Sequence, residues 1–302
     1  MRIVQSYKRW EKQKITLYND KAIKYNAVIN KCRKGVKGRF VMKRLFALVL
    51  VFVLVLSCFV GCAPKTGSDL KYIQDKGKLV VGITEYKPMD YKDENGEWTG
   101  FDAELARLFA KDLGVEIEFF VIADWGKKFI ELETKQIDVI WNGMTISDDV
   151  NNNTSCSVPY VMNAQVVVLP ADKVASYPTA ESMKDLKVAV ENDSAGEDAA
   201  KAAGFTNIIE VQYQDTALME VAAGTADACV IDITMANNMT GAGTSYANLS
   251  KGVELTKEEY GIGFRKGSDV TEKLNAFLSK LMKDGTLKAL ADKYGLTLAD
   301  IK

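Results

Sequence analysis

Glu85, Asp148, Asp149, Glu191, Asp193 and Asp232 all fall in short loops that follow apolar, β-branched runs, and Tyr86, Trp125 and Ser194 sit in loops of the same kind. Carboxylates gathered at strand ends suit charge-assisted hydrogen bonds to an ammonium or guanidinium group. Aromatic rings beside them supply contact area at low entropic cost, and attract a cation through their faces. Ser194 precedes a helical stretch, where free N–H groups favour an anion, although capping that helix is its plain alternative role. Asn142, Gly143 and Thr145 follow the run 137–140 and offer backbone N–H groups and a hydroxyl. This is the chemistry of reversible recognition. Covalent chemistry is poorly supplied, because the 302 residues contain no His, which removes Ser-His-Asp and Cys-His catalysis and the commonest metal ligand. No Cys pair has zinc spacing, so no catalytic residue, metal or cofactor is expected.

The elements that must position these residues alternate between strand and helix. The stretch 137–150 anchors the pattern: Ile137, Val139 and Ile140 read as a strand buried in a parallel sheet, and the run breaks at Asn142-Gly143. Open α/β sheets place ligands at such carboxyl ends. Upstream, 78–83 is a buried strand, and 89–101 reads as a hairpin turned at Asn95-Gly96. Asp102 suits an N-cap for a helix with Leu105, Leu108 and Phe109 on its inward face, closed by Gly114. A strand at 115–119 and a helix at 127–133 complete a first series. A second follows Pro159-Tyr160, with strands at 165–169, 187–190, 207–211 and 228–231 and helices at 197–203 and 216–223. A strand at 260–264 and a long amphipathic helix, with Leu274, Phe277, Leu278 and Leu281 on one face and a break at Gly285, end the chain. Strand–helix alternation implies parallel sheets, and two of them ending in polar loops imply a cleft between lobes.

Charge divides the chain unevenly. Residues 1–41 hold twelve basic and two acidic residues, a net of +10, whereas residues 45–302 hold 25 basic and 38 acidic, a net of −13. An acidic body of ordinary globular composition is a poor partner for nucleic acid. Met42-Lys43-Arg44 followed by sixteen uncharged residues at 45–60 describes a secretory signal over 42–61. The ending Phe59-Val60-Gly61-Cys62 resembles a bacterial lipobox, which implies that Cys62 becomes a lipidated first residue. Cys58 is a weaker candidate, and an uncleaved membrane anchor is the alternative; either puts the body outside the membrane. Residues 1–41 fit neither signal nor domain and read as a gene-model extension upstream of a start at Met42, while 62–76 read as a tether. Cys156 and Cys229, among apolar or small neighbours, suit buried free thiols, with a single bridge between them left open.

An ordered set of short motifs carries a family resemblance. Lys78-Leu79-Val80-Val81-Gly82, Gly100-Phe101-Asp102, Asp124-Trp125, Gly143-Met144-Thr145-Ile146, the stretch 224–228 and Tyr260-Gly261-Ile262 recur as in the polar-amino-acid substrate-binding proteins of ABC importers, extracellular solute-binding protein family 3. The resemblance implies an α/β, two-lobed type II periplasmic-binding-protein fold with two hinge strands. Lobe 1 would hold 77–160 and 261–302, lobe 2 would hold 165–255, and the hinges would run through 160–164 and 256–260. It also implies that Tyr86 and Trp125 sandwich a ligand, that Asn142, Gly143, Thr145 and Ser194 bind its polar groups, and that Asp232 pairs with its α-ammonium. The implied partners are a small amino-acid-like ligand, an ABC permease with its ATPase, and the membrane through a lipid anchor, for a single extracytoplasmic copy.

One position departs from the family pattern. The motif usually places an Arg three residues beyond the position of Ser147 to clamp the ligand carboxylate, and Val150 stands there instead. Lys127, Lys128 or Lys87 could supply the charge, or the ligand could lack a free carboxylate. The surplus of acids favours a cationic solute. A cyclohexadienyl- or arogenate-dehydratase-like enzyme on the same fold is the main alternative, and a solute sensor module a third.

Overall fold

The computed structural model describes residues 67–301. The extension at 1–41, the signal at 42–61, Cys62 and positions 63–66 of the tether lie outside the described residues. The rest of the expected tether is helical: α1 (Asp69–Lys76) is capped by the Ser68 side chain, which accepts from Lys71 N, and ends at Gly77. Ile73 is fully buried, while Asp69 pairs with Arg265, which also reaches Asp138. One buried apolar side chain and an ion-pair relay make this stretch part of the folded body.

The first sheet begins with β1 (Lys78–Ile83), buried at every position except its first. Such continuous burial is what a sheet covered on both faces requires. A small hairpin of β2 (Tyr91–Lys92) and β3 (Trp98–Thr99) leads into α2 (Phe101–Leu113). Here two expectations are corrected. The helix starts one residue ahead of Asp102, behind Gly100, whose φ of +116° and contact with the Met89 carbonyl leave no room for a side chain. Asp102 therefore lies inside the first turn, fully buried, and is not an N-cap. The inward face is Phe101, Leu105, Phe109 and Leu113, whereas Leu108 is 37% exposed.

Next come β4 (Glu116–Val121), a short 3-10 turn at Trp125–Lys127, α3 (Lys128–Glu133) and β5 (Val139–Thr145). β5 does not break at Asn142-Gly143 as expected but runs on to Thr145. Its outer neighbour pairs with it antiparallel, and the register shifts beside Gly143, which takes φ +57°. The strand thus continues through an irregularity. Then follow α4 (Asp148–Asn153), β6 (Thr154–Cys156) and β7 (Val161–Asn163).

The second sheet is built from β8 (Gln165–Pro170), β9 (Val188–Glu191), β10 (Ile208–Val211), β11 (Ala228–Asp232) and β12 (Leu249–Glu254), in the order β10-β9-β11-β8-β12. Helices α5 (Ala195–Ala202) and α6 (Gln214–Ala222) each start two residues before the position expected from sequence. α7 (Ile233–Met239) and β12 have no counterpart in the sequence expectations. β13 (Glu258–Arg265) returns to the first sheet, giving it the order β4-β1-β5-β13-β6 with β7 on β13, before α8 (Val270–Lys283) and α9 (Thr286–Tyr294). Leu274, Phe277, Leu278 and Leu281 are buried along α8, as their spacing predicts.

The chain crosses between the sheets twice, from β7 into β8 at 163–165 and from β12 into β13 at 254–258. Cys156 and Cys229 are free thiols.

Candidate functional site

β1 and β5 of the first sheet and β9 and β11 of the second end at one cavity of about 90 Å³ between the lobes. Tyr86, Trp125, Asn142, Gly143, Thr145, Ser194 and Asp232 all line it. Their immediate partners show how each is held.

Tyr86, in the loop after β1, is almost wholly buried, and its hydroxyl bonds Thr234 at the start of α7 and the Tyr260 hydroxyl at 2.5 Å. Asn142 spends its side chain on the end of β1: Oδ1 accepts from Thr84 N at 2.8 Å and Nδ2 donates to Thr84 Oγ1 at 2.7 Å. Gly143 N donates to Asp102 Oδ2 at 2.7 Å, and Thr145 Oγ1 donates to Glu258 Oε1 at 2.7 Å. Ser194 caps α5, with Oγ donating to Glu191 O at 2.7 Å and accepting from Glu197 N at 3.2 Å. Asp232, at the end of β11, accepts from Asn163, from Gln165 Nε2 at 2.7 Å and from Gln214. The polar groups singled out from sequence are thus brought together, each held in place by a neighbouring residue of the frame.

Three wall residues carry little or no signal in the sequence. Gln165, the first residue of β8, is 2% exposed. Its Nε2 donates to Asp232 and to Glu258 at 2.7 Å each, which fixes the amide's orientation and leaves Oε1 buried without a partner. Gln214 bridges to Asp232, whose N–H it also accepts at 2.9 Å. A glutamine opening a Val-rich strand or a helix reads as an ordinary boundary residue. Lys128, one of the three lysines that could replace the missing arginine, forms part of the wall.

Burial shapes the charges. Glu191 is pushed up to about 8 by desolvation and by the neighbouring Asp232, against the pull of Lys128. Asp232 rises to about 6 through burial and the nearby Glu258, its hydrogen bonds opposing the rise. Desolvation lowers the Lys128 ammonium, with Asp149, Asp193, Glu191 and Asp198 acting the other way. Asp149, Asp193 and Asp198 ring the exposed rim, while Glu191 and Asp232 lie deep. Asp227, by contrast, serves the frame by accepting from Lys187 N at 2.8 Å.

At the position of the missing arginine, Val150 is 3% exposed and packs in the apolar cluster with Trp125, Ile140 and Met144. Of the three lysines, Lys127 is exposed and pairs with Asp124 at 2.9 Å, and Lys87 lies over the Tyr91 ring in a separate groove. Only Lys128 reaches the cavity.

The lobes meet across this site. Gln212 Nε2 donates to Ala123 O at 2.7 Å, Lys128 Nζ reaches Asp193 O at 3.4 Å, and Tyr86 bonds Thr234. At Gly126 a side chain would strike Asp193 Oδ2 at 2.2 Å, so glycine permits this approach.

Residues 79–297 match the family of bacterial extracellular solute-binding proteins, family 3. The chain is 28% identical to the L-cystine-binding protein TcyJ of Escherichia coli strain K12 over 252 residues, covering 81% of this chain and 94% of that one. It is 30% identical to the arginine-binding extracellular protein ArtP of Bacillus subtilis over 257 residues, with 81% and 96% covered. Among solved structures, the ancestral amino acid-binding protein AncCDT-1, a precursor of cyclohexadienyl dehydratase, is 33% identical with a TM-score of 0.69, covering 75% of this chain and 99% of that one. A variant of ArgBP from T. maritima is 30% identical with a TM-score of 0.70, covering 75% and 98%. The fold is accordingly the mixed α/β, two-domain fold of the type II periplasmic binding proteins.

Proposed function

The chain belongs to the bacterial extracellular solute-binding proteins of family 3, and on that footing we propose that it binds a small cationic or polar amino acid between its lobes and delivers it to an ABC permease driven by a cytoplasmic ATPase. The observation that carries the ligand class is the pair of deep carboxyls, Asp232 and Glu191, that line the interlobe cavity. A positively charged donor relieves the repulsion between Asp232 and Glu191. Trp125 supplies a ring beside them. Tyr86 and Trp125 supply the aromatic walls and Asp232 pairs with the ammonium, with Asn142, Gly143, Thr145 and Ser194 shaping the rest of the wall. Relatives described as cystine-binding and arginine-binding proteins support this class.

In this reading the protein works outside the cytoplasm as a monomer, anchored by a lipid on Cys62 after removal of 42–61. Thermal-shift measurements on the purified chain against arginine, lysine, histidine, cystine, glutamine and polyamines test the ligand class, since a ligand that binds only the folded state raises the melting temperature. A shift with one or more of these amino acids is the expected result, and silence across the panel sinks the proposal. Cys62→Ser is expected to release the protein from the membrane fraction.

An enzymatic reading has one observation in its favour: Glu191, with its carboxyl pushed up to about 8, holds a proton at neutral pH and faces the cavity as a proton donor would. Incubation with prephenate and with arogenate separates the two readings, because binding without turnover is expected of a transport protein.

A further inference from the structure

Lys128 is the one cationic side chain lining the cavity among the described residues. It is 7% exposed, and its Nζ lies 5.0 Å from the centre of the Trp125 ring and 4.8 Å from that of Phe129. Its hydrogen bonds go to two main-chain oxygens, Trp125 O at 3.3 Å and Asp193 O at 3.4 Å, both at the long end of the range. The other two lysines weighed for this role are engaged elsewhere: Lys127 holds Asp124 and Lys87 lies over the Tyr91 ring. Lys128 has no carboxylate oxygen within ion-pair distance among the described residues, although acids surround it at longer range. A buried ammonium so weakly bonded is an expensive arrangement unless something completes it.

The cavity wall facing lobe 2 includes Ala195 and Gly196, the first two residues of the eight-residue helix α5. Ser194 already takes Glu197 N, the third N–H of that helix, which leaves the first two without intrahelical partners. Lys128 Nζ reaches the Asp193 carbonyl just ahead of this helix start. A buried ammonium and the open end of a helix thus converge at the cavity, whose lining also holds the deep carboxyls of Asp232 and Glu191. A ligand carrying only positive charge would satisfy the acids and meet repulsion at Lys128. A zwitterion satisfies both.

Building on the amino-acid reading above, we infer that Lys128 is the anion anchor of this site, taking the carboxylate of the bound amino acid from α3, while position 150 contributes only apolar wall. The anchor has moved from the element after β5 to the one before it. Lysine does this as a point charge, without the planar fork of arginine.

The test uses the full chain in mild detergent and isothermal titration with three pairs, each an amino acid and its decarboxylated amine: L-arginine and agmatine, L-histidine and histamine, L-cystine and cystamine. For whichever amino acid binds the unmodified protein, the amine is expected to bind about 30-fold or more weakly. Lys128→Met is expected to weaken the amino acid by a similar factor while leaving the amine as tight or tighter, and Lys128→Arg is expected to retain most of the affinity. Val150→Arg placed on Lys128→Met is expected to recover part of the loss. The anchor is overturned if Lys128→Met, folded by its melting curve, binds the amino acid within about threefold of the unmodified chain, or if the amine binds as tightly as the amino acid. Failure of every amino acid to bind the unmodified, folded chain overturns the functional reading itself, and the anchor with it.

Discussion

Asp102 Oδ2 accepts a hydrogen bond from the backbone N–H of Gly143 at 2.7 Å, which ties the first turn of α2 to the irregular part of β5 at the cavity wall. The same carboxylate accepts from the Tyr160 hydroxyl at 2.8 Å and from Trp141 Nε1 at 3.2 Å. Tyr160 immediately precedes β7, after which the chain first crosses between the lobes. One buried side chain therefore links a helix, the site's wall and the approach to a hinge.

Asp102→Asn keeps the size of the group but, above the pH of about 7 to which burial raises this carboxyl, gives up one of two acceptor oxygens among three donors. The expected loss is about 2–3 kcal/mol of unfolding free energy, because a buried donor is left facing an amide N–H. Urea denaturation measures it, and ligand affinity should fall with it, since Gly143 loses the bond that sets its position.

The ligand-free protein should lose stability as pH rises from about 5 to about 9. Burial raises Asp232 to about 6, Asp102 to about 7 and Glu191 to about 8 in the fold, and pushes Asp90, whose two oxygens have no partner, well above its ordinary range. The unfolded carboxyls titrate near 4. Between these limits the folded state binds more protons than the unfolded state, so the stabilising contribution is complete below about pH 4 and is lost as pH climbs through the folded values. A series of melting curves across this range, without ligand, checks the sign. A rise in melting temperature toward pH 9 would contradict it.

Binding of an ammonium-bearing ligand should release protons near pH 7. A positive charge placed beside Asp232 and Glu191 favours their ionised forms, so affinity should rise with pH between about 6 and 8. Titration calorimetry in buffers of different ionisation enthalpy reads the release directly. Glu191→Gln should remove the larger part of it, because Glu191 has the higher of the two values.

Tyr86→Phe deletes the hydroxyl that joins lobe 1 to Thr234 of lobe 2 and leaves the ring in place. The closed arrangement should lose about 0.5–1.5 kcal/mol, a roughly 2- to 10-fold weaker dissociation constant. Unfolding free energy of the ligand-free chain should change less than affinity does. Solution scattering with saturating ligand should show a larger fraction of open molecules than for the unmodified chain.

What the sequence determined by itself was local. Runs such as Val80-Val81 and Val139-Ile140 declare buried strands, Asn95-Gly96 declares a turn, and the spacing of Leu274, Phe277, Leu278 and Leu281 declares a helix face, because each signal rests on backbone periodicity within a few residues. The strand-end loops that hold Tyr86, Trp125, Ser194 and Asp232 were legible for the same reason. The tertiary structure decided which polar groups in those loops meet. Lys127 and Lys128 are neighbours in sequence, yet one is in solvent with Asp124 and the other is buried in the cavity, a difference set by where the 3-10 turn hands over to α3. Asp102 looks like a helix cap until the close approach of Gly100 to Met89 moves the helix start by one residue and turns the carboxylate inward. Gln165 looks like the start of a strand until Asp232 and Glu258, 67 and 93 positions away, claim its amide nitrogen and leave its oxygen buried without a partner. Partners that distant in the chain are chosen by how two sheets and two crossings bring the lobes together, and no local pattern encodes that.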